Sequence, residues 1–338
     1  MLLPLSDLMG NTMKAMRAPQ FGGPELLRLE ETPDPQLKDG HILIRVKATG
    51  INPADLVRLS GRYPQSLPLP YIPGTDVAGE VEAVGAGVMH VKIGDRVFGR
   101  SLNGGGYAQK ALIPAHEAIP LPANLSFAEG AAIPVPFYTA YVALHYKAKL
   151  QAGETVLVSA GGGGVGVAAI QLAKAAGALV ITTVGSEEKA ERARGLGADV
   201  ALNYKTQDFA IEIQKLTDGK GVEVIIENVA TDNLAKDCTA LARYGRIVLI
   251  GTGTGKAPNA TFAVTAALMK DATMYGLVLG NSAEHIPAMA GALTPLFAKG
   301  VIKAIIHKTY PLTAAPEALG DLLAGKVFGK LILEPERT

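Results

Sequence analysis

The sequence predicts an α/β protein in which a doubly wound parallel sheet is joined to a separate β-rich region. The first observation behind this prediction is a strand–glycine–helix run at residues 155–177. The second is the alternation of apolar strand candidates with helix-period segments from residue 153 onward, which is typical of a parallel sheet covered by helices. The chain has 338 residues, a length that suits two domains.

The glycine run carries the strongest functional signal. An apolar stretch at 155–158 leads into GGGG, and residues 165–177 then repeat apolar side chains at helical spacing. Gly161, Gly163 and Gly166 fit G-x-G-x-x-G, and Ala160 with the last two also fits A-x-x-G-x-x-G. Glycines allow a sharp turn and let a pyrophosphate reach the N–H groups at the helix start. A plain strand–helix turn is the alternative, but this context predicts dinucleotide binding.

The predicted elements divide the chain into a tail and two domains. The strand candidates of the nucleotide domain are residues 155–159, 179–184, 222–229, 246–251 and 273–279. Further strand candidates lie at 41–50, 76–85, 95–99 and 330–335, separated by Gly, Pro and Asp. We therefore expect a tail at 1–12, a β-rich catalytic domain at 13–138 completed by 308–338, and a dinucleotide-binding domain at 139–307.

Composition gives little support to several classes of function. The formal net charge is +1, which gives no argument for nucleic acid or an anionic membrane surface. No segment reaches the length of apolar sequence that a membrane helix needs. A single cysteine, Cys238, rules out an intramolecular disulfide and favours the cytoplasm.

The residues after the second strand of the nucleotide domain favour NADPH over NADH. The strand at 179–184 ends in Gly185-Ser186, where a carboxylate would otherwise bind the ribose of NAD. Lys189 and Arg192 follow, and Tyr204 comes at the end of the next strand. Hydroxyls and cations suit a 2′-phosphate. Two alternatives stay open: the cations could form a solvated helix face, and Glu187 could accept from the ribose.

The chain shows no pattern of metal ligands. It has no C-x-x-C, and its six histidines are scattered. Cys238 falls in the segment 232–245, a predicted helix of the nucleotide domain, where a small buried thiol is the simpler interpretation. Because catalytic zinc needs about three protein ligands at coordinating spacing, we predict no metal.

Taken together, these segments resemble the zinc-free quinone oxidoreductases of the medium-chain dehydrogenase/reductase superfamily, particularly the ζ-crystallin-like branch. The resemblance covers most of the chain from Met13 onward, and its matching segments are residues 21–29, 50–64, 70–85, 94–99, 105–114, 130–144, 163–178 and 225–237. It implies a Rossmann domain inserted into a discontinuous GroES-like domain. The resemblance also implies that Asn52, Thr75 and Asp76 stand at positions where zinc-dependent relatives have a cysteine, a histidine and a glutamate near the metal.

The resemblance also implies a set of cofactor contacts. The pyrophosphate loop would be formed by Gly163, Gly164, Val165 and Gly166. The 2′-phosphate pocket would be formed by Ser186, Lys189 and Tyr204, with Lys330 joining them. The nicotinamide would lie near Thr139, Asn228, Gly251 and the backbone of Leu277, Val278 and Leu279.

The expected reaction is hydride transfer from NADPH to a quinone or similar conjugated carbonyl. Asn52 would donate a hydrogen bond to the substrate oxygen, and Tyr63 would orient substrate or deliver a proton. For Asn52 the alternative is a turn residue, and for Tyr63 it is cleft packing. A second enzyme hypothesis is an NADPH-dependent enone or enoyl-thioester reductase, in which Tyr63 would be essential. A hypothesis of another class is single-stranded RNA binding or a structural, crystallin-like role.

The last strand of the predicted nucleotide domain bears on assembly. The stretch 273–279 is apolar and lacks the Lys or Pro that often protects an edge strand. Pairing of two such edges would continue the sheet from one chain into a second. We therefore expect a homodimer, or a tetramer built from it.

Overall fold

The computed structural model describes residues 11–63, 67–253 and 259–337. The chain divides into two compact units, which we call unit 1 (Met1–Val135 with Ala304–Thr338) and unit 2 (Pro136–Lys303). Most of the predicted tail, residues 1–12, lies outside the described residues, and its last residue, Thr12, already begins the first strand.

The described residues form strands and helices that we number along the whole chain. The strands are β1 (Thr12–Arg17), β2 (Arg28–Pro33), β3 (His41–Gly50), β4 (Asp76–Val84), β5 (Arg96–Arg100), β6 (Lys110–Pro114), β7 (Ile119–Pro120), β8 (Thr155–Val158), β9 (Leu179–Val184), β10 (Val200–Asn203), β11 (Val222–Glu227), β12 (Leu241–Leu249), β13 (Thr273–Gly276), β14 (Ile306–Pro311) and β15 (Lys330–Glu334). The α-helices are α1 (Pro53–Leu59), α2 (Phe127–Ala131), α3 (Pro134–Tyr141), α4 (Gly164–Ala175), α5 (Glu187–Gly195), α6 (Phe209–Leu216), α7 (Ala230–Ala240), α8 (Val264–Leu268), α9 (Ile286–Ala298) and α10 (Ala315–Leu323).

Unit 2 is built on a parallel sheet of six strands among its described residues, in the order β10-β9-β8-β11-β12-β13. Every neighbouring pair in this sheet runs parallel. The chain moves outward from β8 to β10 and then crosses back to place β11 on the other side of β8. This reversal of direction creates a crevice at the carboxyl ends of β8 and β11, where α/β sheets bind ligands. The sheet confirms the predicted Rossmann architecture.

The core of unit 2 follows from the apolar strand sequences. Val156, Leu157 and Val158 of β8 are fully buried, as a strand covered on both faces requires. Helix α4 packs its apolar side, including Ile170 and Leu172, into the same interior. The glycine turn between β8 and α4 therefore rests on two rigid elements.

Unit 1 contains a mixed sheet whose main path is β14-β15-β3-β4-β5-β7, with β6 pairing with β3 and with β1 and β2 forming a separate pair. Strand β15, from the C-terminal segment, pairs with β3 so that Ile332 lies opposite Gly50. Gly50 in turn lies opposite Asp76 of β4. The C-terminal segment thus brings Lys330 close to the ends of β3 and β4.

Two predicted elements differ from the structure. The predicted helix at 232–245 ends at Ala240, because the backbone of Leu241 is extended (φ −68°, ψ 144°) and begins β12, which the sequence placed at residue 246. The predicted strand at 273–279 ends at Gly276 and is followed by a 3₁₀ helix over Leu279–His285. Among the described residues, no helix is long and apolar enough to cross a membrane.

Candidate functional site

The turn between β8 and α4 uses its glycines for two purposes. A Cβ at Gly161 would lie 2.0 Å from Thr182 Oγ1, and one at Gly166 would lie 2.3 Å from Ala160 O. These two glycines are therefore required by packing of the turn itself. A Cβ at Gly163 would meet only Ala160 O, at 3.4 Å, so this position borders open space.

That open space lies at the start of α4. Gly163 is the N-cap residue of α4. The N–H groups of the first turn, from Gly164 to Gly166, have no acceptor within the helix and can bond to a ligand. Helix dipole and N–H groups together favour an anion at this point. The arrangement can bind a phosphate group without a side chain.

A group of polar and cationic side chains, which we call the cationic corner, lies beyond β9 and β10. Ser186 caps α5, and its Oγ accepts the N–H of Lys189 at 3.3 Å. The Tyr204 hydroxyl lies over Gly185, the residue before Ser186, since a Cβ at Gly185 would be 2.6 Å from that hydroxyl. The three residues predicted for the 2′-phosphate are thus grouped at the adjacent ends of two parallel strands.

Electrostatics at this corner favour an anion. Partial burial lowers the pKa of Lys189, and the neighbouring cations Lys205 and Arg192 lower it further, opposed by Glu188. Lys205 was missed in the sequence, although it directly follows Tyr204 at the end of β10. Glu187, the alternative ribose acceptor, forms an ion pair with Arg194 at 3.1 Å.

The residues predicted for the nicotinamide side occupy the ends of β11, β12 and β13. Asn228 Nδ2 donates to Ser159 O at 2.9 Å, and its backbone N–H donates to Ser159 Oγ at 2.7 Å. A Cβ at Gly251 would be 2.2 Å from Asn228 O, so glycine is needed for this close approach. These bonds fix Asn228 at the carboxyl end of β11.

The other predicted nicotinamide residues are held separately. The N–H of Leu277 donates to Leu249 O at 2.9 Å, which continues the ladder of β12 and β13 by one residue. Leu277 and Leu279 are buried, whereas Val278 is 55% exposed. Thr139 is buried within α3.

Beneath Asn228 lies a buried pair of carboxyl groups that sequence reasoning missed. Glu227 accepts from Ser159 Oγ at 2.8 Å and from Asn233 Nδ2 at 3.3 Å. Asp237 on α7 faces Glu227, and both side chains are fully buried. Burial and then the charge of Glu227 raise the pKa of Asp237 to about 9, so Asp237 is protonated at neutral pH. The available signal was a carboxylate directly after the apolar run Val224, Ile225 and Ile226 of β11.

In unit 1, Asn52 lies at the centre of a buried polar cluster. Its Oδ1 accepts from Lys330 Nζ at 2.7 Å, and its Nδ2 donates to Asp76 Oδ2 at 2.9 Å. Lys330 Nζ also donates to Ile51 O at 2.7 Å and to Asp76 Oδ2 at 3.3 Å. The prediction that Lys330 joins the 2′-phosphate pocket is therefore wrong: its side chain is buried in unit 1, where its bonds are already made.

Asn52 also begins α1, as the alternative interpretation of this residue expected. Its backbone N–H donates to Asp55 Oδ2 at 2.8 Å, and the same oxygen accepts from the Tyr107 hydroxyl at 3.1 Å. Burial raises the pKa of Asp55 to about 6, although Lys330 and Arg58 oppose the shift. The capping role uses the backbone of Asn52, whereas its side-chain amide binds Lys330 and Asp76.

Tyr63 is held by a neighbouring cation. The guanidinium of Arg58 lies 4.6 Å from the centre of the Tyr63 ring. Arg58 Nη1 donates to Thr75 Oγ1 at 3.0 Å and to Leu102 O at 3.1 Å, which fixes the guanidinium. The ring of Tyr63 therefore has a fixed support on one face.

The positions compared with zinc ligands are engaged in other bonds. Thr75 accepts from Arg58, while Asn52 and Asp76 are bonded to Lys330. Within residues 11–63, 67–253 and 259–337, no group of three or more His, Cys, Asp or Glu side chains could hold a metal ion.

The chain matches two dehydrogenase family models and is similar to quinone oxidoreductases over most of its length. Residues 38–123 match the family model for the alcohol dehydrogenase GroES-like domain, and residues 164–294 match that for zinc-binding dehydrogenase. The quinone oxidoreductase of Homo sapiens is 40% identical over 326 residues, covering 95% of this chain and 97% of the relative. That of Pseudomonas aeruginosa is 32% identical over 327 residues, covering 95% of this chain and 99% of the relative.

Solved structures give the same result. The crystal structure of Escherichia coli quinone oxidoreductase complexed with NADPH matches with a TM-score of 0.88 at 32% identity, over 95% of this chain and all of that chain (100%). A quinone oxidoreductase from Pseudomonas syringae matches with a TM-score of 0.88 at 32% identity, over 96% of this chain and 100% of that one.

Proposed function

Because the chain belongs to the quinone oxidoreductase family of the medium-chain dehydrogenase/reductase superfamily, we propose that it transfers a hydride from NADPH to a quinone or a similar conjugated carbonyl. The observation that carries this proposal is the cationic corner at the ends of β9 and β10, next to the glycine turn. The nicotinamide supplies the hydride when it is bound. The protein binds, orients and electrostatically stabilises the reacting groups.

The residues of unit 2 fit a phosphorylated dinucleotide. The first-turn N–H groups of α4, reached past Gly163, would bind the pyrophosphate. Ser186, Lys189 and Tyr204 would bind the 2′-phosphate, with Lys205 adding a cation. A dianionic phosphate would favour the charged form of Lys189, whose pKa is lowered first by partial burial and then by repulsion from Lys205 and Arg192. The pairing of Glu187 with Arg194 supports NADPH over NADH.

The nicotinamide end is proposed to lie against Asn228, Gly251, Thr139 and the segment Leu277 to Leu279. The bonds from Asn228 to Ser159 hold Asn228 at the carboxyl end of β11. This rigidity favours a single placement of the ring, on which the rate of hydride transfer depends strongly.

Asn52 and Tyr63 are proposed to contact the acceptor. A quinone oxygen becomes negative as hydride arrives, and an amide N–H of Asn52 can stabilise that charge. The reduced quinone takes its proton from water, so a strong acid is not required. The fixed support of the Tyr63 ring by Arg58 favours orientation of the acceptor over proton delivery.

Zinc independence is part of the proposal. The Lys330 ammonium bonds to Asn52 and Asp76, and Arg58 bonds to Thr75. The side chains at the positions compared with metal ligands are therefore hydrogen-bonded to cations of the protein itself. Protein dialysed against a strong chelator should keep its activity and contain no stoichiometric zinc by elemental analysis. Loss of activity that added zinc restores would contradict this part of the proposal.

We also propose a homodimer, or a tetramer built from it, formed through the edge of unit 2. Strand β13 is the last in the sheet order, and its Met274 is 39% exposed. Exposed apolar side chains continue onto α8 and its end, where Leu268 is 71% and Met269 77% exposed. Such a patch beside an edge strand is typical of a subunit interface.

A cytoplasmic location completes the proposal. It is supported by the single cysteine, Cys238, which is buried and free. Cell fractionation with an antibody to the protein would test it, and recovery of the protein outside the cytosolic fraction would contradict it.

One screen tests the catalytic proposal. The loss of reduced-nicotinamide absorbance is followed with NADPH and with NADH, over a panel of quinones, simple enones and enoyl thioesters. We expect the highest kcat/KM with NADPH and a quinone. Faster turnover of an enone or enoyl thioester would identify the second enzyme hypothesis instead, and equal use of NADH would contradict the cofactor assignment.

A further inference from the structure

We propose that Lys330 is a positioning residue, whose ammonium fixes the side-chain amide of Asn52 in the one orientation that presents an N–H to the acceptor oxygen. The inference rests on the proposed function for the use of that N–H. The fixing itself follows from the bonds within unit 1 and can be measured without a substrate.

The sheet of unit 1 places Lys330 within reach of the Asn52 side chain. Lys330 begins β15, and the pairing of β15 with β3 brings its side chain beneath Gly50. A Cβ at Gly50 would lie 3.2 Å from Lys330 Cε and 2.2 Å from Ala131 O, so glycine makes room for the lysine stem. All three ammonium hydrogens have acceptors: Ile51 O, Asn52 Oδ1 and Asp76 Oδ2.

The two ends of the Asn52 amide are distinguished by their partners. An ammonium can only donate, and an ionised carboxylate can only accept. Lys330 therefore requires the oxygen end of Asn52, and Asp76 requires the nitrogen end. The flipped amide would face a donor with a donor and an acceptor with an acceptor, at buried sites where unsatisfied groups are costly.

This orientation leaves donor capacity on Asn52. One hydrogen of Nδ2 is used by Asp76 at 2.9 Å. The other meets Gly50 O at 3.5 Å, beyond the usual length of a hydrogen bond. The ammonium on Oδ1 also polarises the amide, which strengthens its N–H as a donor. A developing oxyanion would gain from both effects.

Stability alone is a poor explanation for the Lys330–Asp76 pair. Lys330 is 4% exposed and Asp76 is fully buried, and desolvation of two such charges offsets most of their attraction. What the pair gives instead is a defined geometry around Asn52. If Lys330 were merely structural, its replacement would leave kcat of the folded protein unchanged. If Lys330 positions Asn52, its replacement lowers kcat.

The catalytic test is a double-mutant cycle of Lys330→Met and Asn52→Ala, assayed with NADPH and 1,4-benzoquinone. Lys330→Met should lower kcat about tenfold, less than the about 10²–10³-fold typical for loss of a full oxyanion donor. KM for the quinone and the NADPH dissociation constant should change little. In the Asn52→Ala background, Lys330→Met should have no further effect. Losses that multiply in the double variant would show that Lys330 acts independently of Asn52 and would overturn the proposal.

Lys110→Met is the matched control. Lys110 is a second lysine of unit 1 whose ammonium binds carboxylates; it is partly buried and bonds to Asp34 at 2.6 Å and to Glu82 at 2.7 Å. Its replacement should leave kcat unchanged. If Lys330→Met does not fold, Lys330→Met with Asp76→Asn removes both charges and avoids an unpaired carboxylate. That pair should show the same loss of kcat, and wild-type kcat in it would overturn the proposal.

A second measurement needs no substrate. The isotope-labelled side-chain amide of Asn52 is observed by NMR and assigned by its absence in Asn52→Ala. Its hydrogens should exchange slowly in wild type and in Lys110→Met, and much faster in the Lys330 variant. An unchanged signal there would overturn the proposal. A wild-type protein that reduces no quinone would contradict the proposed function instead, while the amide measurement would still decide what Lys330 does.

Discussion

Replacing Asp237 by asparagine should make the protein more stable than wild type, increasingly so as pH rises. Asp237 is fully buried against Glu227, and neither of its oxygens has a donor. Burial first, and then the charge of Glu227, raise its pKa to about 9. Asparagine can donate to Glu227 as the protonated acid does, but it needs no proton to do so.

The size of the effect follows from linkage. An unfolded aspartate has a pKa of about 3.9. Between about 3.9 and about 9, the folded state holds a proton that the unfolded state has released. The contribution of Asp237 to stability is therefore fully present below the unfolded pKa and is lost as pH rises toward the folded one. The slope is about 1.4 kcal/mol per pH unit, or about 3–6 °C in melting temperature for a unit of this size.

The assay is thermal unfolding of wild type and Asp237→Asn at several values between about pH 5 and pH 8, within the window set by those two pKa values. Asp218→Asn is the control, because Asp218 is an exposed aspartate of the same unit. The difference between Asp237→Asn and wild type should widen steadily with pH, whereas Asp218→Asn should run parallel to wild type. Parallel curves for all three proteins would refute the conclusion that folded Asp237 holds a proton.

Three further predictions concern the proposed sites. Lys189→Ala should weaken NADPH binding about tenfold, by loss of one charge-assisted hydrogen bond, and leave NADH binding unchanged; equal losses in fluorescence titrations with both cofactors would contradict the phosphate pocket. Tyr63→Phe should lower quinone turnover less than about tenfold, whereas a loss of a hundredfold or more would indicate a proton donor. Met274→Lys should convert the expected dimer to monomer in sedimentation, because it places a charge on the exposed edge; a monomeric wild type would contradict the assembly itself.

What the sequence could predict was local. The apolar strand before Gly161 and the helical repeat after Gly166 are read within one short window, and the structure has β8 and α4 there. Ser186 caps α5, and the Tyr204 hydroxyl lies over Gly185, the residue before it, because β9 and β10 are adjacent parallel strands. Parallel pairing of consecutive strands is the common arrangement in such folds, so this grouping was predictable.

What it could not predict depends on distant pairing. The family resemblance assigned Lys330 to the phosphate pocket, but the pairing of β15 with β3 decides where this lysine lies, and its ammonium bonds to Asn52, 278 positions earlier. Asp237 reads as an ordinary polar position of a helix, and only the packing of α7 on β11 shows that it faces Glu227. The residue pattern of a single segment shows neither the contact of Lys330 with Asn52 nor that of Asp237 with Glu227.

The discontinuity of unit 1 has a consequence for the order of folding. Unit 2 is a continuous stretch of chain, so during synthesis it can form its sheet before the residues after 303 have emerged. Of the described strands, β15 emerges last, and with it the only cation among the described residues that bonds to Asp76. Until then Asn52 and Asp76 lack the ammonium around which they are ordered. The proposed acceptor site is therefore completed only when β15, the last of the described strands, has been synthesised, and a chain cut short of Lys330 would keep unit 2 but lose the lysine that orders this site.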